Sequence, residues 1–312
     1  MSSSGQKQVI QLRFDLNGTI EATGNHPILT TRGWVNFNDI KIGDCVVTSY
    51  QSDNTKSYPM LNEDQLDLVI GSCLGDGSLK SRKNKDVCYM DFIHGEDQKD
   101  YLSFKANVLS CKKGIIRIEK NGYAQKPAYR ASKGCFYFKN SLRSAFGQID
   151  ALNYKSLAIL WMDDGHLSKE QNEGNIYTHS DREDVVRYLC DKLISMGVLG
   201  VSVRHNSVKN LYYIKFKKQS VVLISKFCSP YIHSSMSYKV VDEYKSFVGS
   251  YNWNHKNMRS VKIVSEINNI GLADVYNMEV EDNHNYIVCP KSMYDNFRNI
   301  KGEKKKKRKL SN

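Results

Sequence analysis

Two stretches of the chain run from an apolar, helix-spaced face straight into acidic residues and a glycine. They read LDLVIGSCLGDGSL at 66–79 and YKSLAILWMDDGHL at 154–167. Setting Val69–Gly77 over Leu157–Gly165 brings Asp76 onto Asp164, 88 positions later. The segments after the two copies are also alike. The first copy leads into strand-like VCYMDFIHG and helix-like DQKDYLSFKANVLS, the second into NIYTHS and REDVVRYLCDKLISMG. In the second of these helices Asp181 is placed to cap, Glu183 and Asp184 fill the first turn, and Gly197 ends it. Alternating β candidates come next in each half: AYRASKGCFYFK in one, VSVRHN and NLYYIKFKK in the other. The pattern therefore predicts an α+β fold built by duplication, each half running helix, strands, helix, strands.

The two acidic helix ends carry the first chemical signal. A carboxylate at a helix C-terminus faces the negative end of the helix dipole and calls for a cation nearby. Gly71 and Gly75, four apart on one face, would let the two apolar helices approach closely and bring Asp76 and Asp164 together. Carboxylates a few ångströms apart repel unless a proton or a divalent metal lies between them. Hard oxygen donors favour Mg²⁺, and metals so held suit in-line hydrolysis of a phosphodiester. One such end alone would read as an ordinary Asp-Gly turn. Two at matched positions favour a shared site.

Charge narrows the partner. The 312 residues carry a net charge of +12 with 40% hydrophobic residues, enough apolar material for a core and a surface suited to nucleic acid. Residues 99–145 hold eleven Lys and Arg against Asp100 and Glu119, and residues 201–240 hold seven against no acid. In YYIKFKK, Tyr213, Lys215 and Lys217 share one strand face, with Tyr212, Ile214 and Phe216 on the other. A ribbon with one basic face can lie in the DNA major groove, so Arg204, Lys215 and Lys217 are expected DNA contacts. Eight cysteines without a CxxC pair argue against a zinc ribbon and for free thiols in a reducing compartment. The first thirty residues show no signal-peptide core, and no run of about 18 apolar residues occurs. A soluble, intracellular protein is expected, in the cytoplasm of a bacterial or phage-infected cell or in a eukaryotic nucleus or organelle. Lys304 to Lys309 are six basic residues in a row within a tail expected to be disordered; they suit DNA phosphates, a nuclear address or plain solvation.

VIGSCLGDG and LAILWMDDG resemble the two signature helices of single-chain LAGLIDADG homing endonucleases, and YIHSSMSYKV at 231–240 is similar to the Met-x-Tyr-Lys segment closing the second half in one branch of that family. The resemblance spans 61–245, with halves at about 61–150 and 151–245. It implies two pseudo-symmetric αββαββα halves in one chain, acting as a monomer. It also implies Mg²⁺-dependent cutting of both strands of a long double-stranded DNA site, across the minor groove, with short 3′ extensions. By that resemblance Asp76 and Asp164 are metal ligands and Lys239 is the basic group near the scissile phosphate. Asp163 is secondary, and Lys139 is only a guess for a first-half lysine. The second helix departs by carrying Ile159 and Asp163 where the first has Gly71 and Gly75, so packing should be asymmetric. The alternative within the resemblance is a nucleic-acid-binding protein, an RNA maturase or regulator, that does not cut.

The ends of the chain tell a second story. GTIEATGNHPILTTRGWVNFNDIKIGDCVV at 18–47 resembles the Thr-x-x-His block of the Hint (Hedgehog/intein) fold, and DVYNMEVEDNHNYIV at 274–288 its late strand pair. The implied frame is a small, mostly-β Hint-like part from residues 1–60 and 246–300, followed by the tail at 301–312. Thr23 and His26 would polarise a scissile peptide bond in that family. The closing His-Asn step is replaced by Asp295-Asn296 followed by Phe297, leaving no downstream nucleophile. A degenerate Hint site at Thr23, His26 and Asn296 is expected, and an intein still able to process itself is the alternative.

Overall fold

The structure is a computed structural model describing residues 2–16, 18–49, 57–81, 86–118, 127–168, 170–256 and 259–277. The chain forms two compact units, one from the residues up to Met60 and from 257 onward, the other from Leu61–Lys256.

The first unit begins with strands β1 (Ser2–Phe14), β2 (Thr19–Thr23), β3 (Pro27–Thr30), β4 (Gly33–Asn36), β5 (Cys45–Ser49) and β6 (Tyr58–Pro59). In the second unit, the first half runs α1 (Glu63–Leu74), β7 (Gly77–Ser81), β8 (Val87–Gly95), α2 (Lys99–Val108), β9 (Ile115–Ile118), β10 (Ala128–Tyr137) and α3 (Ala145–Asp150). The second half repeats this as α4 (Tyr154–Asp164), β11 (Gly165–Ser168), β12 (Glu173–Ile176), α5 (Glu183–Ser195), β13 (Val201–Asn206), β14 (Leu211–Phe216) and α6 (Lys218–Cys228). Three 3-10 segments come next, at 229–231, 234–239 and 242–247. The last strand, β15 (Arg259–Asn277), returns to the first unit.

There β15 pairs with β1 along its C-terminal part and with β5 and β6 at its start, in a sheet ordered β2-β1-β15-β5-β3-β4. Its core gathers Leu12, Phe14, Ile20, Ile28, Phe37, Ile40, Val46 and Val264.

The duplication read from the sequence is present in the backbone. The two four-stranded antiparallel sheets of the second unit have the same order, β7-β8-β10-β9 and β11-β12-β14-β13. Each half is αββαββα, and the class is α+β. The registers match too, Gly77 opposing Phe92 in one sheet and Gly165 opposing Ile176 in the other.

Both signature helices start with a capping box, Asn62 with Gln65 and Asn153 with Ser156, which satisfies orphan N–H groups at each entry. Beside these starts Lys155 of α4 bridges Asp64 and Asp67 of α1 at 2.6 and 3.1 Å. Two details differ from expectation. Asp181 does not cap α5; Arg182 occupies that position, with no side-chain cap bond, while Glu183 and Asp184 do fill the first turn. Residues 246–256, expected with the C-terminal part, pack in the second unit, where the Tyr251 hydroxyl and the Asn254 N–H both donate to Asp64. Among the described residues the seven cysteines are all free thiols, and no helix is long and apolar enough to cross a membrane.

Candidate active site at the paired helix ends

Helices α1 and α4 pack side by side, and glycine makes this possible on one side only. A Cβ at Gly71 would stand 2.6 Å from Ile159 Cβ, and one at Gly75 would stand 2.5 Å from Asp163 Cβ. The two residues that break the pattern of the second helix thus fill the space left by the two glycines of the first. Apolar burial along the seam is complete: Leu157 to Met162 are all fully covered.

That arrangement drives Asp163 into the interior, where its side chain is 0% exposed. A buried carboxylate is costly unless it is paired and hydrogen-bonded. Here Lys105, equally buried on α2, donates to both oxygens at 2.6 and 2.8 Å. The Tyr101 hydroxyl adds a bond at 2.8 Å and the Asp76 N–H another at 3.3 Å. Asp163 belongs to the second half, and all these donors to the first. What reads in the sequence as the lesser of two aspartates is the anchor between halves. Its partner Lys105, inside the amphipathic run DQKDYLSFKANVLS, looks in the sequence like one surface lysine among many.

Lys239 sits against the end of α4, in the field of the acids. Its Nζ is buried and donates to the carbonyls of Trp161 and Asp163 at 3.3 Å and to that of Met162, while the Trp161 indole N–H donates to the Lys239 carbonyl at 2.8 Å. The last carbonyls of a helix lack helical partners, so an ammonium there satisfies them and opposes the dipole. These three carbonyls hold its ammonium at the end of α4. Burial brings its pKa down to about 8, against the pull of Asp163, Asp76 and Asp164.

Asp76 and Asp164 remain. Neither has an ion pair with lysine or arginine among the described residues. Burial, then the field of Asp163, raises the Asp76 pKa; burial, then the fields of Asp76 and Asp163, raises that of Asp164 to about 7. Asp76 keeps a side chain 42% exposed, and Asp164 is half-buried. Of the three acids at the helix ends, Asp163 is paired with Lys105, whereas Asp76 and Asp164 have no lysine or arginine ion pair among the described residues. The donor set fits a divalent metal: hard oxygens, charge in excess, and a route to solvent.

His94, at the end of β8, is a site residue that the repeat alone does not reveal. Its ring lies 5.3 Å from that of Tyr101, tilted by 59°, and Nδ1 is 3.8 Å from Asp76. Burial, aided by Lys105, lowers its pKa to about 4, so the ring is neutral. The signal lay in the register: counting on from Phe92 and Ile176, His94 corresponds to Thr178.

The expected DNA face is partly assembled. Arg204 pairs across from Tyr213, and Ser202 from Lys215, on the face opposite buried Ile214 and Phe216. Lys215 is met by Glu173 of β12 at 2.7 Å, an acid the window 201–240 could not show. Lys217 lies beyond the strand as the N-cap of α6 and is exposed. Lys139 is an exposed N-cap of the short 140–142 turn. In the first unit Thr23 donates to the Asn25 side chain, and its carbonyl accepts the His26 N–H at 3.0 Å; burial lowers the His26 pKa. Asn296, its Hint counterpart, and the basic tail lie outside the described residues.

Residues 66–224, just over half of the chain, match the family model described as the LAGLIDADG DNA endonuclease family. The chain belongs to this family. It is a LAGLIDADG DNA endonuclease, a hydrolase of phosphodiester bonds. Among curated proteins it is 26% identical over 293 residues to Protein RecA of Mycolicibacterium flavescens, covering 86% of this chain and 67% of that one. Solved structures similar to it include the homing endonuclease I-WcaI bound to its DNA recognition sequence. That match has 18% identity, covers 62% of this chain and 95% of the other, and has a TM-score of 0.46. I-DmoI in complex with DNA and Mn matches at 14% identity over 53% and 97% of the two chains, with a TM-score of 0.36.

Proposed function

We propose that this LAGLIDADG endonuclease hydrolyses both strands of a long double-stranded DNA site, using Mg²⁺ held by Asp76 and Asp164. The observation that carries this reading is the unequal treatment of the three acids, with Asp163 paired to Lys105 and Asp76 and Asp164 kept as unpaired neighbours. Such a pair would bind the cation, which when bound polarises the phosphate and lowers the pKa of an attacking water. Asp163, through the Asp76 N–H, holds Asp76 at its place. Lys239 fixes the end of α4, and its charge, with that of Lys105, eases ionisation of Asp76 and Asp164. Arg204 and Lys215 on the outer sheet face, with Lys217 beside it, would meet DNA. The pseudo-dimer supplies both half-sites in one chain, so the protein acts as a monomer.

For the first unit we infer a Hint-like remnant, with Thr23 and His26 in one tight turn. The RecA relative, matched over 86% of the chain, suits an intein context. The test for the nuclease is incubation with a randomised duplex library in Mg²⁺ and in a chelator. Discrete, Mg²⁺-dependent double-strand breaks are expected. Binding without breaks would assign the chain to the non-cutting branch.

A further inference from the structure

The outer face of the first half's sheet carries apolar residues where the second half's is polar. Strands β8, β10 and β9 lie side by side, and one row across them reads Ile93, Arg130, Ile116. The isoleucines are 38% and 51% exposed, while the next residues along, Phe92 and Ala131, belong to the core on the opposite face. The shared Gly77–Phe92 and Gly165–Ile176 registers set this row over Tyr177, Tyr213 and Arg204 of the second half. There Tyr177 stacks on Tyr213 at 5.0 Å. The row is thus the first half's counterpart of the face on which Arg204 and Lys215 are assigned to DNA. A single exposed isoleucine needs no explanation. Two that flank an arginine, at positions where the twin sheet carries a tyrosine and an arginine, do.

The surroundings suit a nucleic acid. Beside the row Asp91 accepts from the Ser132 hydroxyl at 2.6 Å and from Arg130 at 2.7 Å, and Lys80 stands 3.7 Å away. Two cations against one acid leave the patch net positive. In the major groove every base edge offers donors or acceptors, and thymine alone adds a methyl group. An isoleucine laid on a polar base edge strips water from it and returns no hydrogen bond. Laid on the thymine methyl, it buries apolar area on both sides. Adjacent strands run about 4.8 Å apart, so the two isoleucines stand about 10 Å apart and no single methyl can serve both.

We propose that Ile93 and Ile116 read two thymine methyl groups in the major groove, as specificity-determining residues of the first half. The two halves then read DNA by different chemistry, the first through apolar contact around Arg130 and the second through polar side chains. This inference rests on the sheet faces meeting DNA as proposed above.

The test takes the duplex recovered from the randomised library and replaces each thymine singly by deoxyuridine, which removes the methyl and keeps every hydrogen bond. Binding of the full chain is read by fluorescence anisotropy. At two thymines the wild type should bind about fourfold more weakly, the share of one buried methyl. That ratio should hold across salt concentrations, because no phosphate contact is altered. Ile93→Ser should erase the penalty at one of the two positions and Ile116→Ser at the other. Each variant is compared with itself on two duplexes, so a general loss of affinity does not imitate the effect. A duplex whose thymines all tolerate uracil overturns the inference whether or not the variants fold. So does a penalty that survives both serine variants in folded protein. In either case continued Mg²⁺-dependent cleavage leaves the nuclease reading standing, whereas a chain that binds no duplex sinks both.

Discussion

Removing the Lys105 ammonium tests the interior logic of the site most sharply. In Lys105→Met the side-chain volume is nearly kept, but Asp163 loses its two charge-assisted bonds and stays 0% exposed. The Tyr101 hydroxyl and the Asp76 N–H remain as its donors. Stripping one partner from a buried pair costs about 3–5 kcal/mol, because the surviving charge is left without compensation. Asp163→Asn in the same background removes that charge, so the double variant should recover about 2 kcal/mol or more of the loss. The assay is urea unfolding of the full chain carrying Trp34→Phe and Trp253→Phe in every variant, followed by emission of Trp161, which is fully buried in α4. A cost under about 1 kcal/mol for Lys105→Met would refute the reasoning. So would a double variant whose loss equals the sum of the two singles, since groups in contact should couple.

The same geometry sets further expectations. Gly75→Ala drives a Cβ to 2.5 Å from Asp163 Cβ and should cost about 1–3 kcal/mol, whereas Gly95→Ala, with nothing within 4 Å, should be near neutral by thermal melting. Asp164 in the metal-free fold titrates at about 7 against an ordinary 3.8, so the native state holds an extra proton between those values. Stability of the metal-free chain should therefore fall as pH rises from about 4 to 7, and Asp164→Asn should flatten melting temperature across that window. Lys239 acts the other way, its pKa of about 8 lying below the ordinary 10.5, so its contribution rises with pH between the two. Changing Arg204, Lys215 and Lys217 together to Ala should weaken DNA binding and shallow its salt dependence; an unaltered slope on a salt titration would remove them from the interface.

The duplication, the helix, strands, helix, strands order and the close approach at Gly71 and Gly75 are legible in the sequence, because apolar periodicity and the repeat report them directly; the closing helix of each αββαββα half is implied only by the family resemblance. The fate of individual charges is not. Asp163 and Asp164 are neighbours of one type, and only packing decides which is driven against Lys105. The contacts of Lys239 with three helix-end carbonyls depend on a fold-back from more than 70 residues later, which its basicity in the sequence does not report. Glu173 escapes notice beside Lys215 because cross-strand neighbours lie far apart in sequence. His94 can be found by aligning the strands as well as the helices, since the shared Gly77–Phe92 and Gly165–Ile176 register fixes its counterpart.

The central claim is that Asp76 and Asp164 are the two acids left free to take a cation and cut DNA. Its most direct measurement is Mg²⁺-dependent cleavage of a duplex selected by the wild type, compared with Asp76→Asn and Asp164→Asn under conditions where all three bind it. Each variant is expected to bind the duplex and fail to cut it. Cleavage by either variant at the wild-type rate would contradict it.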